Sequence, residues 1–182
     1  MSAAATKLVR DHAALLVVDV QEAFRKALAD FDEIAAAAAV LARGAGELGL
    51  PVIATEQYPK GLGPTVEGVA AALPPATARL EKVRFSAAEA EGFDLGGRQQ
   101  AIVCGIEAHV CVSQTVLDLL ALGVEVHVVG DAVGSRTAEN RRLGLERMER
   151  AGAVVTSVET ALFELLGGSD AAEFKQVQAL IK

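Results

Sequence analysis

His12-Ala-Ala-Leu-Leu-Val-Val-Asp19-Val20 is an apolar run that ends at a carboxylate. Hydrophobicity that is continuous rather than alternating suits a strand covered on both faces, as in a parallel sheet. Runs of the same kind recur at 51–55 (PVIAT), 79–83 (RLEKV), 100–105 (QAIVCG), 124–130 (VEVHVVG) and 153–156 (AVVT). Six strands are therefore expected, the third interrupted by Glu81 and Lys82. Helical segments stand between most of them. Residues 31–48 place Asp32 and Glu33 in a first turn, continue through an alanine-rich stretch of high helix propensity, and stop at Gly49 before Pro51. Residues 109–122 carry Val112, Val116, Leu119 and Leu120 at helical spacing, with Gly123 behind them. Residues 137–151 open on Thr137 as an N-cap, with Gly152 after them. Residues 157–166 and 170–181 are split by Gly167-Gly168, with Ser169 or Asp170 capping the second. Strand alternating with helix from end to end implies an α/β fold with a parallel sheet and right-handed crossovers.

Composition bounds the function. The chain has 182 residues, 52% of them hydrophobic and 23% charged, with no internal repeat or linker, so 1–182 reads as one domain. Aromatics are only 4% and there is no Trp, so the core must be aliphatic. Lys and Arg total 17 against 24 Asp and Glu, a net charge of −7. That balance lacks the basic footprint of a nucleic-acid partner. The longest apolar run, Ile34 to Ala42, is far below the ~18 residues of a membrane span. The opening MSAAATKLVR has no apolar signal region, and Cys104 and Cys111 form no disulfide scaffold, so a cytoplasmic protein is expected.

In open parallel sheets, ligands bind beyond the carboxyl ends of the strands. That rule selects Asp19 and Gln21, Glu56 to Pro59, Lys82 and Phe85, Gly105 to Cys111, and Asp131 to Arg136. Cys111 falls in the first turn of the helix after the fourth strand, where unpaired N–H groups and the helix dipole favour a thiolate. Cys104 sits inside AIVCG and reads as core. Asp19 is either a strand-end cap or a working carboxylate. Lys82 is either a solvated edge-strand residue or its ammonium partner. An acid, an ammonium and a thiol at one rim suffice for nucleophilic catalysis. His12, His109 and His127 have no metal-ligand spacing, and a His109–Cys111 dyad joins residues that seldom face one another on a helix. Cys104 and Cys111 are not a CxxC pair, and neither GxGxxG nor a P-loop follows the first strand.

Asp19-Val20-Gln21, TEQYPKGLG at 55–63, KVRFS at 82–86, GIEAHVCV at 105–112 and DAVGSR at 131–136 together resemble the isochorismatase-like cysteine hydrolases. The likeness is closest to the isochorismatase domain-containing branch and runs from about residue 12 to the C-terminus. It implies a three-layer αβα domain whose six-stranded parallel sheet has the order 3-2-1-4-5-6. It implies a catalytic triad of Asp19, Lys82 and Cys111, and a non-proline cis peptide at Ile106–Glu107. The N–H of Glu107 and that of Cys111 would form an oxyanion hole, and Phe24, Gln57, Tyr58, Phe85 and His109 would line a substrate pocket. The chemistry implied is cleavage of a C–N or acyl bond in a small molecule through a thioester, without a cofactor, in a homo-oligomer. Two alternatives stand beside it: vinyl-ether hydrolysis of the isochorismatase type, and a non-catalytic binding module that keeps the old pocket. Nicotinamidases of the family carry an Asp and two His as metal ligands after the second strand. TEQYPKGLG has no histidine, so no metal site is expected. Several siderophore-pathway isochorismatases lack the cysteine, and its presence here points to C–N or acyl hydrolysis.

Overall fold

The computed structural model describes residues 7–182, so the first six residues of MSAAATKLVR lie outside the description. Strands β1 (Ala13–Val18), β2 (Val52–Gln57), β3 (Ala78–Lys82), β4 (Gln100–Ile106), β5 (Glu125–Gly134) and β6 (Val154–Thr156) form one sheet. Its order is β3-β2-β1-β4-β5-β6 and every neighbouring pair is parallel. The helices are α1 (Phe31–Glu47), α2 (Pro59–Leu62), α3 (Glu67–Ala70), α4 (Ser113–Ala121), α5 (Ala138–Ala151), α6 (Val158–Leu166) and α7 (Phe174–Leu180). None is long and apolar enough to cross a membrane.

The central strand shows why its sequence does not alternate. Ala13, Leu15 and Val17 enter one core, with α1, α3, α6 and α7 above it, while Ala14, Leu16 and Val18 enter the other, under α4 and α5. Strand β4 divides likewise: Cys104 faces the α1 layer, whereas Cys111, beyond the strand's end, belongs to the α4 layer.

The expected helix ends hold where a side chain or a glycine fixes them. Thr137 caps α5 by accepting the Asn140 N–H at 3.1 Å, and Gly152 closes that helix at φ 113°. Two segments differ. Residues 108–112 are a π-helical turn rather than the first turn of an α-helix, and α4 starts only at Ser113. The last helix begins at Phe174, not at residue 170, and neither Ser169 nor Asp170 caps it. Turn bonds from Ala171 N–H to Gly168 and from Phe174 N–H to Ala171 occupy the gap. Glu173 is held by Arg10 at 2.9 Å, which leaves Phe174 to pack on Phe163. Strand β5 also runs past its expected end. Asp131 lies within it, and its carboxylate accepts the Val158 N–H at the start of α6 rather than joining the rim.

Candidate active site

The sheet register brings four strand ends together. Val18 stands opposite Thr55 and Gly105, and Gln57 stands opposite Lys82. Asp19 leaves β1 with φ 51°, a left-handed conformation that Asp tolerates better than most residues. Its side chain is fully buried, and both oxygens are engaged. Thr55 Oγ1 donates to Oδ1 at 2.7 Å, and the Lys82 ammonium donates to Oδ2 at 2.7 Å. Lys82 therefore does not behave as a solvated edge residue. Its side chain is only 1% exposed. Its remaining acceptors are Gln57 Oε1 at 2.8 Å, the Phe85 carbonyl at 2.9 Å and the Arg84 carbonyl at 3.3 Å. A buried ammonium with a full set of acceptors is stable where an unpaired one is not.

Cys111 completes the group from the opposite strand. Gly105 at the end of β4 has φ 121° and packs against the Val18 backbone so tightly that a Cβ would sit 1.9 Å from the Val18 oxygen. The next peptide, Ile106–Glu107, is cis. The π turn then carries Cys111, 5% exposed, close enough to Asp19 and Lys82 for both to act on its thiol. Burial pushes that thiol up to about 12; the Asp19 carboxylate adds to the rise, and Lys82 opposes it. The thiolate expected from a helix N-terminus is thus not the resting form. Burial and a neighbouring negative charge outweigh the ammonium, and the turn is not an α-helical N-terminus. The Cys104 thiol is pushed up to about 12 by burial alone.

Thr115 ties the Cys111 turn to the segment after β3. Its hydroxyl donates to the Cys111 carbonyl at 2.7 Å and accepts the Ala87 N–H at 2.8 Å. Gln21 clamps Gln57 by accepting its N–H at 2.7 Å and donating to its carbonyl at 2.9 Å. The Gln57 amide bonds Lys82 and the Val83 carbonyl, so both of its ends are engaged. The Glu107 carboxylate accepts the N–H and Nε–H of Arg136, both at 3.0 Å, and His109 Nδ1 meets Ser135 Oγ at 3.0 Å. Tyr58 and Phe85 are half-exposed near Lys82, and Phe24 packs on the α1-side core, the layer opposite Cys111. Thr115 was not singled out from sequence, and Thr55 and Ser135 fell inside TEQYPKGLG and DAVGSR with no role read for either. Only the register of β1 against β2 could have pointed to Thr55. Beside the buried group, a cleft of about 450 Å³ is lined by Tyr58, Lys82, Val83 and Arg84 among others, but neither Asp19 nor Cys111 reaches it. Among the described residues, no three His, Cys, Asp or Glu side chains gather as a metal site.

Comparison with known proteins places the chain in a family. The isochorismatase domain model matches residues 13–160. Isochorismatase domain-containing protein 1 of Salmo salar is 44% identical over 168 residues, which is 90% of this chain and 59% of that protein. The chain thus spans about 59% of the length of that relative. Among solved structures, the MAR1 ribonuclease of Caenorhabditis elegans is 42% identical with a TM-score of 0.91, covering 97% of this chain and 92% of the other. YcaC from Pseudomonas aeruginosa, solved with hexane-2,5-diol and covalent acrylamide, is 28% identical with a TM-score of 0.86, covering 98% and 93%.

Proposed function

The chain belongs to the isochorismatase family, and we propose that it forms one small-molecule hydrolase domain with Cys111 as nucleophile and Asp19 and Lys82 as its partners. One observation carries the reading: a fully buried Asp19–Lys82 pair, 2.7 Å apart, beside a buried thiol that both groups influence. A buried ion pair adds little net stability compared with apolar side chains, so its position beside a nucleophilic atom favours a chemical role. The structure of YcaC with covalent acrylamide supports the reading, because acrylamide is an electrophile that thiols attack.

The chemistry follows from the resting thiol. Asp19 takes the Cys111 proton as Sγ attacks the carbonyl carbon, so no free thiolate accumulates. The N–H groups of Glu107 and Cys111 hold the developing oxyanion. Asp19 then returns the proton to the leaving amine, the C–N bond breaks, and a thioester remains. Water attacks that thioester with Asp19 as base; the acid leaves and Cys111 recovers its proton. Lys82 keeps Asp19 oriented and compensates its charge, and Tyr58, Phe85 and His109 shape the approach. We place this activity in the cytoplasm.

The ribonuclease name of the Caenorhabditis elegans relative defines the competing reading. A net charge of −7 and a closed catalytic group oppose RNA as the substrate here. Assays of amide and RNA hydrolysis on wild type, Cys111→Ala and Cys104→Ala separate the two. Amide turnover that vanishes in Cys111→Ala and persists in Cys104→Ala is the expected result. RNA cleavage that survives Cys111→Ala refutes the proposal. Exposed Val83 and Leu122 supply apolar surface for the expected homo-oligomer, which light scattering at micromolar concentration checks; a monomer there contradicts it.

A further inference from the structure

We propose that the edge strand β3 is a self-pairing surface: two copies of the chain join antiparallel about Leu80 and merge their sheets into one. The inference rests on the expected homo-oligomer and names the face that makes it. β3 borders the sheet and has a neighbour, β2, on one side only. Its register fixes which backbone groups face outward. The Tyr58 N–H donates to the Lys82 carbonyl at 2.9 Å, and Gln57 stands opposite Lys82. Lys82 therefore turns its peptide groups toward β2, and so does Leu80, two residues back along a strand of period two. Arg79 and Glu81 turn their N–H and C=O groups the other way, to the open edge. Among the described residues, nothing in the chain bonds to those groups.

Under a two-fold axis at Leu80, Arg79 of each copy stands opposite Glu81 of the other. In an antiparallel pair, opposed residues with facing peptide groups exchange both N–H···O bonds, so each Arg79–Glu81 pair is a hydrogen-bonded one. The side chains agree with the backbone, because directly opposed residues share a face and a guanidinium then meets a carboxylate at both pairs. Arg79 and Glu81 are exposed, and among the described residues neither has an ion-pair partner in its own chain. Charges on an edge strand ordinarily discourage pairing. A single sign at both positions would do so here. Opposite signs placed symmetrically about Leu80 instead attract a second copy and fix its register. Leu80, half-buried against the α4-side core, meets its counterpart across the axis, and Val83, 76% exposed, comes to lie beside Thr77 of the second copy. The cleft beside Glu81 and Val83 leaves that end of the strand uncovered by the chain itself. The opposite edge carries no such pattern: β6 is only Val154–Thr156 and has no charge.

Charge swaps test the register. Arg79→Glu sets carboxylate against carboxylate at both pairs, and Glu81→Arg sets guanidinium against guanidinium. Each variant alone should raise the dimer dissociation constant roughly tenfold or more in sedimentation analysis. Mixed in equal amounts, the two variants should associate with each other about as tightly as wild type, because every pair is again opposite in sign. Amide hydrogen exchange reads the unaltered chain. The N–H groups of Arg79 and Glu81 should be protected at high protein concentration and exposed on dilution, while those of Leu80 and Lys82 stay protected at both. Association undiminished in both single variants, or Arg79 and Glu81 amides that exchange equally at every concentration, overturns the inference and leaves an oligomer built on another face. Mixed variants that each keep a cooperative thermal transition yet do not associate overturn it as well. A wild-type chain that stays monomeric at micromolar concentration removes the homo-oligomer and the inference together.

Discussion

Gly144 lies in the middle of α5, where alanine would normally stabilise a helix by about 1 kcal/mol. Here the prediction is the reverse for function. A Cβ at 144 would stand 2.8 Å from both the carbonyl carbon and the oxygen of Ala108, and 2.9 Å from His109 N. Those atoms are backbone, so no side chain can rotate away. Ordinary carbon contacts lie near 3.5 Å or beyond, so the helix and the π turn must separate by about 0.7 Å. Overpacking of this kind costs about 1–3 kcal/mol, which the helix-propensity gain partly offsets. The net loss of stability in Gly144→Ala should thus be about 2 kcal/mol or less. The turn that moves is the one holding Cys111, and misplacement of reacting groups by about an ångström can cost a hundredfold in rate. We expect hydrolysis and Cys111 alkylation to fall about 10- to 100-fold, with a cooperative thermal transition retained. Gly44→Ala is the control. Its Cβ would meet Leu162 Cδ2 at 2.4 Å in the opposite layer, so it should lower the melting temperature without selectively slowing Cys111. If Gly144→Ala is more stable than wild type and reacts at the wild-type rate, α5 does not position the Cys111 turn and the reasoning fails.

Three further outcomes are expected. Lys82→Met leaves Asp19 buried and unpaired, so it should destabilise the fold by about 3–5 kcal/mol, whereas Asp19→Asn with Lys82→Met should recover much of that loss in urea melts; a double variant no better than the single one would contradict the pairing. Burial pushes both thiols up to about 12 from an ordinary value of 9.0, so the unfolded chain loses these protons first as pH rises. Stability should then fall between pH 9 and 12 by up to about 1.4 kcal/mol per pH unit for each thiol, and Cys104→Ala should flatten the slope; an unchanged slope refutes this. Turnover should persist after exhaustive chelation, because Glu56 is already bonded to Thr65 and TEQYPKGLG offers no histidine; loss on chelation with rescue by zinc or manganese would show that segment to be misread.

What the sequence could reveal, and what it could not, divides along a physical line. Strand positions were legible because burial on both faces leaves a local mark: six apolar residues in β1 have no polar alternate, and none is needed when both faces are covered. Thr137 and Gly152 were legible because a cap acts within a few residues of itself. The start of α7 was not, since Ser169 and Asp170 offered local caps while an ion pair from Arg10, far away in sequence, held Glu173 outside the helix. The site shows the same division more sharply. Residue type and strand-end position were enough to select Asp19, Lys82 and Cys111. The ionisation of Cys111 was not accessible, because its sign depends on the balance of burial, one carboxylate and one ammonium delivered by three different strands. Gln57 carries the same lesson for specificity. From sequence it is a polar side chain at a rim, free to meet substrate. In the fold its amide is engaged by Lys82 and Val83, and its backbone by Gln21. Polar groups that look available one at a time become mutually satisfied once the strand ends converge. What remains unsatisfied at the thiol, rather than which residue types are present, decides what the site can accept.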